Sequence, residues 1–548
     1  MKRIVFAIFA AACLLVGCSK DGGDGTPLTT DFNISSNPCN AGDPIEFTAS
    51  VKGGVAPYKY AWAVGTDSEK TESTFTHVFK TNGTVRVTLV VTDSKGASAQ
   101  KMKLVVVNPA QVAETGEVSL EWVGYIEGYN SMSSPAVAND GSVYAVTDAD
   151  KLYKFSAEGT KSWEKKVIND PSNLSNIFAT PSIDDEGTVY IPGGSERKAA
   201  VVVAFNPDGS EKWKFTNFWN KGESHEASIT GGIAGIGDQN IYVGNTGFTG
   251  TVIAIDKTTG ERKGYVVDGS SGPTGGARAG VVISKSGYVH WYAGQYGVWG
   301  AQQSGLDSGT NGYSYAWRLY GSGDFMSPQS SHSSIGCMVI NGKDCVVGQV
   351  TDKISTKVYA VDCSTGAEVC SVRINDTAAQ DQGGISTTEE GYIVASLNYE
   401  LGKANGGIIV VDPVTSSIKA RFSTQEKVSG SSAVDNAGNI HFFTESGYYY
   451  IVKPDYTSGQ CELKVKRDIT EIIKADSRYS EQYGEMYQAK FWCSAVIGDT
   501  GKIYCCFTDE DTRTYGGVLC VSYEGCEGPA NSDWPMIGQN RRHTNKQK

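Results

Sequence analysis

A short phrase recurs along most of this chain, and a recurring phrase restricts the fold more than any composition does. It opens on a small residue, then a small residue or proline, then apolar residues. A glycine turn, a Val/Ile-Tyr strand and a third strand ending in Asp or Asn follow. Next comes a turn containing Thr-Gly or Asp-Gly, often with a tryptophan beyond it. One copy reads Ser134-Pro135-Ala136-Val137, Asp140-Gly141, Val143-Tyr144-Ala145-Val146, Leu152-Tyr153-Lys154-Phe155, Glu158-Gly159, Trp163. The next reads Thr180-Pro181-Ser182-Ile183, Glu186-Gly187, Val189-Tyr190, Val203-Ala204-Phe205-Asn206, Asp208-Gly209, Trp213. Later copies carry Ile241-Tyr242-Val243 with Ala254-Ile255-Asp256 and Thr259-Gly260-Glu261, and Val358-Tyr359-Ala360-Val361-Asp362 with Thr365-Gly366-Ala367-Glu368. Four short strands returning about every 45–60 residues are the sequence sign of propeller blades.

From Val118 onward there are about eight copies, their inner strands starting near Ser134, Thr180, Ile229, Ala279, Ser334, Ile385, Ser432 and Ser494. The last supplies three strands, at Trp492–Ile497, Lys502–Phe507 and Gly517–Tyr523, and then runs into Gly525-Cys526-Glu527-Gly528-Pro529, which cannot extend a sheet. The segment Thr115-Gly116-Glu117-Val118-Ser119-Leu120-Glu121-Trp122 is a fourth-strand phrase with no blade before it. The expectation is that this leading strand completes the last blade, which removes the exposed sheet edge.

Thr-Gly-Glu ahead of an outer strand, with the Val-Tyr and Ala-Ile-Asp strands, resembles the PQQ-like (quinoprotein-type) propeller repeat. The tail Ser532-Asp533-Trp534-Pro535-Met536-Ile537-Gly538-Gln539-Asn540 resembles a segment found beside such propellers, where its Trp packs on the blades. The resemblance implies the fold of residues 115–548 and no activity, because sites are grafted onto folds independently.

Residues 31–108 read as a separate unit. Ile45-Glu46-Phe47-Thr48-Ala49 and Thr84-Val85-Arg86-Val87-Thr88-Leu89-Val90-Val91 alternate as half-buried strands do. Pro57-Tyr58-Lys59-Tyr60-Ala61-Trp62, His77-Val78-Phe79 and the stretch from Gly83 to Asp93 resemble a PKD domain, an immunoglobulin-like sandwich with Trp62 as the core aromatic. Gly65-Thr66-Asp67 replaces the usual Gly-Asp-Gly turn. Asp67 and Asp93 are expected as turn residues, not cation ligands. The fold class is therefore all-β: a PKD-like sandwich, then a roughly eight-bladed propeller closed by an N-terminal strand.

Lys2 and Arg3 precede an apolar run from Ile4 to Val16 that ends in Leu15-Val16-Gly17-Cys18. The pattern resembles a bacterial lipobox. It implies a signal peptide over 1–17, lipidation at Cys18, and a flexible, acidic tether over 18–30. Several acyl chains on one cysteine make a stable anchor where a single chain is marginal. Ser19-Lys20-Asp21-Gly22-Gly23-Asp24-Gly25 looks like the tether-plus-export signal of surface lipoproteins. The expected location is the outer membrane, facing the cell surface.

The net charge is -12 and no basic stripe is visible, which argues against nucleic acid as a partner. Thirteen cysteines are unevenly placed, ten of them between Cys337 and Cys526. Cys337/Cys345 and Cys363/Cys370 each flank a hairpin turn, and mostly free, buried thiols are expected.

In a blade, the first-to-second and third-to-fourth turns share one face, and here they are tight. The other face carries longer, aromatic-rich loops, so recognition is expected there. Three segments supply the candidate ligand-binding residues: Trp219 and His225 between blades two and three, Tyr296, Trp299, Gln302, Asp307 and Tyr313 in a blade-four insertion, and Tyr483 and Tyr487 before blade eight. Flat aromatics beside Asn, Gln and Asp suit sugars, and suit peptides nearly as well.

Neither a Gly-x-Ser-x-Gly elbow nor His-Glu-x-x-His occurs, and no metal-ligand set or cofactor is expected. Cys505-Cys506 sits mid-strand, where neighbours point to opposite faces, and not in the ring that quinone dehydrogenases place against their cofactor. The expectation is a protein that is not an enzyme and binds a glycan first and a peptide second, with an outer-membrane nutrient importer or assembly proteins as its protein partners. The alternative is an outer-membrane assembly scaffold that binds protein partners; a polysaccharide-degrading enzyme with dispersed carboxylates comes third.

Overall fold

The computed structural model describes residues 26–35, 37–41, 44–65, 70–79, 83–108, 118–128, 133–168, 180–194, 200–218, 229, 232–247, 250–267, 280–292, 297–309, 311–319, 335–351, 356–375, 382–397, 406–424, 426–483, 486, 488–509 and 514–548. The chain divides into two compact units, Met1–Gln111 and Val112–Lys548.

In the first unit, Thr29–Ile34, Pro44–Lys52 and Thr74–Val78 form one antiparallel sheet. Cys39–Asn40, Ser98–Asn108, Gly83–Thr92 and Lys59–Val64 form the other. Alternate residues of both sheets turn inward, so Phe32, Phe47, Trp62, Phe75, Val87, Leu89 and Val91 make one core. Trp62 lies edge-on to Phe32 and Phe75 with ring centres 5.1 Å apart, and its Nε1 donates to the Glu72 carbonyl at 2.9 Å. Asp93 accepts from the backbone N–H groups of Val55, Lys95 and Ala97, which makes it a turn residue. Asp67 lies outside the described residues.

The second unit contains eight blades among the described residues. Blade one is Ala136–Val137, Val143–Thr147, Lys151–Phe155 and Lys161–Lys166, paired in that order. Blades two to seven follow the same up-and-down order within 182–215, 235–267, 282–319, 336–375, 382–424 and 433–468. Blades six and seven also touch at their outer strands through one parallel pairing, Arg421 with Gln460. Blade eight takes Val496–Ile497, Ile503–Asp509 and Tyr515–Tyr523 from the end of the chain and Val118–Glu127 from its beginning. The leading strand thus closes the ring, antiparallel to Tyr515–Tyr523 from Tyr515↔Glu127 to Tyr523↔Val118. The third inner strand starts at Gly235, six residues beyond the expected Ile229.

The repeated phrase has a physical reading. Asp256 accepts from the N–H groups of Thr258 and Thr259, and Asp362 from those of Ser364 and Thr365, so Asp at a third strand's end ties down the following turn. The turn glycine is needed for two reasons at once. Gly159 (φ 82) and Gly260 (φ 71) are left-handed, and a Cβ there would come within 2.4 Å of Trp122 and 2.7 Å of Trp213. Each of these tryptophans belongs to the outer strand of one blade and lies on the turn glycine of the next. Their indole N–H groups donate to Ala157 and Lys257 carbonyls at 3.0 and 2.9 Å. Trp and Gly in the phrase are therefore a joint between neighbouring blades. Both faces of most blades are covered, which is why runs such as Val201-Val202-Val203-Ala204-Phe205 are apolar throughout and wholly buried.

Candidate functional site

The tight-turn face is closed by the chain's own tail. Backbone N–H groups of Val137, Ile183, Ile236, Ile283, Thr387 and Val434 donate to the carbonyls of Arg541, Arg542, Thr544, Asn545, Trp534 and Pro535 at 2.7–2.9 Å. Each donor is the last residue of an innermost strand, so the tail lies across the ring of inner strands at that end. Trp534 and Met536 are fully buried there. The tail's charges meet acids of the first-to-second turns: Arg542 with Asp185 at 2.7 Å, Lys546 with Asp238 at 2.6 Å, and Arg541 with Asp499. Exposed pairs of this kind contribute about 0–1 kcal/mol each, so the apolar anchors dominate.

The opposite face carries the connection into blade eight. Asp468 caps helix Ile469–Lys474 by accepting from the Glu471 N–H, and helix Ser477–Tyr483 follows. Tyr479 is buried and donates to Asp509 at 2.9 Å. Tyr125 of the closing strand donates to Asp476 at 2.8 Å, and Arg478 Nε donates to both oxygens of the same carboxylate at 2.9 and 3.0 Å. The Arg478 hydrogen bonds hold the Asp476 carboxyl below its usual range. These groups border a groove of about 580 Å³ on the rim between blades eight and one, lined by Tyr125, Phe155, Lys161, Arg478 and Glu481 among others. The Phe155 ring packs directly on Gly124 there; a Cβ at that position would meet the ring at 2.5 Å. A half-buried aromatic beside two cations and a carboxylate can stack on a flat ligand face and hydrogen-bond its polar edge.

Among the described residues, the sequence-predicted ligand residues Trp299, Gln302, Asp307, Tyr313 and Tyr483 do not meet at one site. Trp219, His225, Tyr296 and Tyr487 lie outside the described residues, as does Cys18. Trp299, expected on a recognition loop, is only 2% exposed. It pairs with Trp291 across strands of blade four and packs against Tyr315 at 4.5 Å, so it belongs to the core. Gln302, the last residue of blade four's third strand, and Asp307, just beyond it, are expected on the loop-rich face but lie at the tight-turn end. There Asp307 accepts from Asn240 Nδ2 at 2.7 Å and from the Tyr242 hydroxyl, fixing the short helix Gln303–Asp307 against blade three. Tyr313 lies on Asn311–Ser314, a strand added in parallel to the outer edge of blade three. Tyr483 ends the helix beside the groove. The insertion scatters its residues because it crosses back to cover a neighbour's edge before completing its own blade, a path no local pattern announces.

Sequence reasoning also passed over a buried cluster beneath the turns of blades seven and eight. Asp435 Oδ2 is 2.9 Å from His441 Nε2, and His441 Nδ1 is 2.6 Å from the Tyr449 hydroxyl. Cys526 completes a set in which one ligand-type atom from each of Asp435, His441 and Cys526 lies within 4.8 Å of the others. Burial pushes the Asp435 carboxyl up, but the His441 and Asn439 hydrogen bonds outweigh it and hold the group below its usual value. Burial, with Asp435 nearby, pushes the Cys526 thiol up to about 12. The available signal was His441 itself. It stands where blades one, two, three and eight carry Tyr144, Tyr190, Tyr242 and Tyr504 in the same register.

Cys505 and Cys506 are buried mid-strand, opposite Leu519 and Val518. Cys337 faces Val346 and Cys370 faces Ala360, so neither hairpin pair is directly opposed.

Among solved structures, a europium-containing methanol dehydrogenase is 12% identical, covering 74% of this chain and 93% of its own at a TM-score of 0.52. The quinohemoprotein alcohol dehydrogenase ADHIIG from Pseudomonas putida HK5 is 13% identical, covering 77% and 78% at a TM-score of 0.54. No curated protein matches the sequence. The two dehydrogenases correct the expectation that this chain is not an enzyme: propellers of this fold do carry catalysis, so missing hydrolase motifs and the position of Cys505-Cys506 do not exclude it. At this identity the likeness itself shows the fold. The PKD domain matches residues 27–107, and the family described as outer membrane protein assembly factor BamB matches 113–263 and 198–386. The chain belongs to that family of PQQ-like β-propellers and carries a PKD domain ahead of its blades.

Proposed function

We propose that this protein is an outer-membrane lipoprotein, anchored through Cys18, that binds an extracellular polymer on the loop-rich side of its propeller, a glycan in preference to a peptide. The observation that carries the reading is the tail, which occupies the tight-turn end of the ring and leaves the other end to a ligand. The rim groove runs from Arg478 on the loop-rich side toward Lys161 beside a third-to-fourth turn, and at its loop-rich end Tyr125 and Arg478 supply a stacking ring and hydrogen-bond donors suited to a sugar. Among the described residues no helix is long and apolar enough to cross a membrane, and a lipid at Cys18 supplies the attachment this reading needs.

The test has two parts. Protease shaving of intact cells should remove the protein; protection until the outer membrane is broken counts against surface display. A glycan and peptide array probed with the soluble form should give glycan hits that Tyr125→Ala and Arg478→Ala weaken. Hits confined to peptides, or hits indifferent to both substitutions, would overturn the glycan reading.

The family description favours a second reading, a propeller facing inward as a scaffold for outer-membrane assembly proteins. Protection from shaving together with co-purified membrane proteins would select it. Product release from a polysaccharide panel would instead identify a degrading enzyme.

A further inference from the structure

We propose that Asp435, His441 and Cys526 form a binding site for one divalent transition-metal ion of the zinc type, joining blade seven to the end of blade eight. Asp435 and His441 come from blade seven, and Cys526 follows the third strand of blade eight. Two departures from the repeat meet here. In blade two the equivalent pair is Tyr190 and Asp184, hydrogen-bonded at 2.7 Å, which satisfies the buried acid without a ligand nitrogen. Blade seven keeps the acid, replaces Tyr with His, and receives a thiol from its neighbour.

The donor set is one nitrogen, one sulfur and one oxygen, which suits zinc. Its charges balance: a thiolate and a carboxylate neutralise a dication, so the bound ion is not left as an uncompensated charge in a buried place. Each ligand is already held from behind. Asp435 Oδ1 accepts from the Ala437 and Asn439 N–H groups, and Asn439 Nδ2 donates to Oδ2 at 2.8 Å. The Tyr449 oxygen lies where a proton on His441 Nδ1 would point, leaving Nε2 as the ligand atom. The segment after Cys526 is tied to blade seven through Asn436 N–H to the Gly528 carbonyl at 3.0 Å and Ala530 N–H to the Val434 carbonyl at 2.9 Å. Three protein ligands leave a fourth position for water, and Cys526 is 9% exposed.

On binding, the Cys526 proton leaves to solvent as sulfur bonds to the ion. His441 changes tautomer: the proton that Nε2 donates to Asp435 in the empty site is lost to solvent, while Nδ1 takes one up and donates it to the Tyr449 oxygen. The imidazole stays neutral, the Nε2 lone pair takes the metal, and one proton is released per ion.

The full chain, stripped with a chelator, should bind Zn²⁺ at one ion per chain, and Co²⁺ should give a thiolate-to-metal charge-transfer band. Cys526→Ser should weaken Zn²⁺ binding by about 100-fold or more and abolish the band, and Tyr449→Phe should weaken it about 10-fold. Cys363→Ser, distant from the site, should change neither. Absence of saturable binding, or unchanged affinity and band in Cys526→Ser, would overturn the proposal. Should Cys526→Ser fail to fold, alkylation of the wild-type chain decides: Zn²⁺ must protect the Cys526 thiol, and equal labelling with and without the ion refutes the site.

Discussion

The backbone N–H of Ser494 donates to Ser134 Oγ at 2.9 Å across 360 residues of sequence. Ser134 passes the link on by donating its own N–H to Thr180 Oγ1 at 3.0 Å, and Ser431 donates to Ser494 Oγ at 2.9 Å. Hydroxyls heading the inner strands thus join blades seven, eight, one and two in series. They explain the small polar residue that opens the repeated phrase, since only a short side chain reaches the next blade's backbone near the ring's axis.

Ser134→Ala should leave the buried Ser494 N–H without its acceptor and cost about 1–3 kcal/mol. Denaturant unfolding followed by circular dichroism reads this as a lower midpoint at unchanged slope. An unmoved midpoint would mean that the hydroxyl link contributes nothing to closure.

Trp122→Ala removes a nearly buried ring from the joint between the closing strand and blade one, and should cost about 3–5 kcal/mol. Trp163→Ala should cost less, because that ring is only half-buried. Equal losses in the two variants would contradict the packing account of the joint.

The tail should loosen in acid. His543 is fully buried, and its desolvation lowers the pKa to about 4 against 6.5 for the free side chain. The unfolded state therefore binds the proton first. Stability supplied by neutral His543 is complete above pH 6.5 and falls as the pH drops toward 4, by about 3 kcal/mol in all. Thermal melting of wild type and His543→Gln across this window should show a smaller acid loss in the variant; parallel curves would refute the assignment.

Removing residues 531–548 should lower the melting temperature far more than reversing Asp185 or Asp238, because Trp534 and Met536 are buried while those acids are exposed. Melting at high salt separates the two contributions. Marked salt sensitivity of the wild type would show that the ion pairs, and not the apolar anchors, hold the tail.

Ligand binding should depend on the rim groove and not on the tight-turn end. Arg478→Ala should weaken binding at least about tenfold, as loss of a charged hydrogen bond does, while Gln302→Ala leaves it unchanged. The reverse outcome, read by titration calorimetry with an array hit, would move the site to the other face.

Blade number and ring closure were legible in the chain because each depends on local chemistry. Strands with Val-Tyr and Ala-Ile-Asp patterns, Asp-tied turns and left-handed glycines repeat in register, and an orphan fourth strand at Val118–Glu127 has one vacancy to fill. Trp299 was misread for the opposite reason: an aromatic near a loop looks the same in sequence whether it faces solvent or, as here, Trp291 and Tyr315. The chain's own order of residues determined the architecture, since turn and strand preferences act over a few neighbours. Only the tertiary structure decided that a C-terminal segment closes one end, that Tyr125 meets Arg478, and that Cys526 comes to His441. Those meetings join residues far apart in the chain, and their distances are set by how the blades pack.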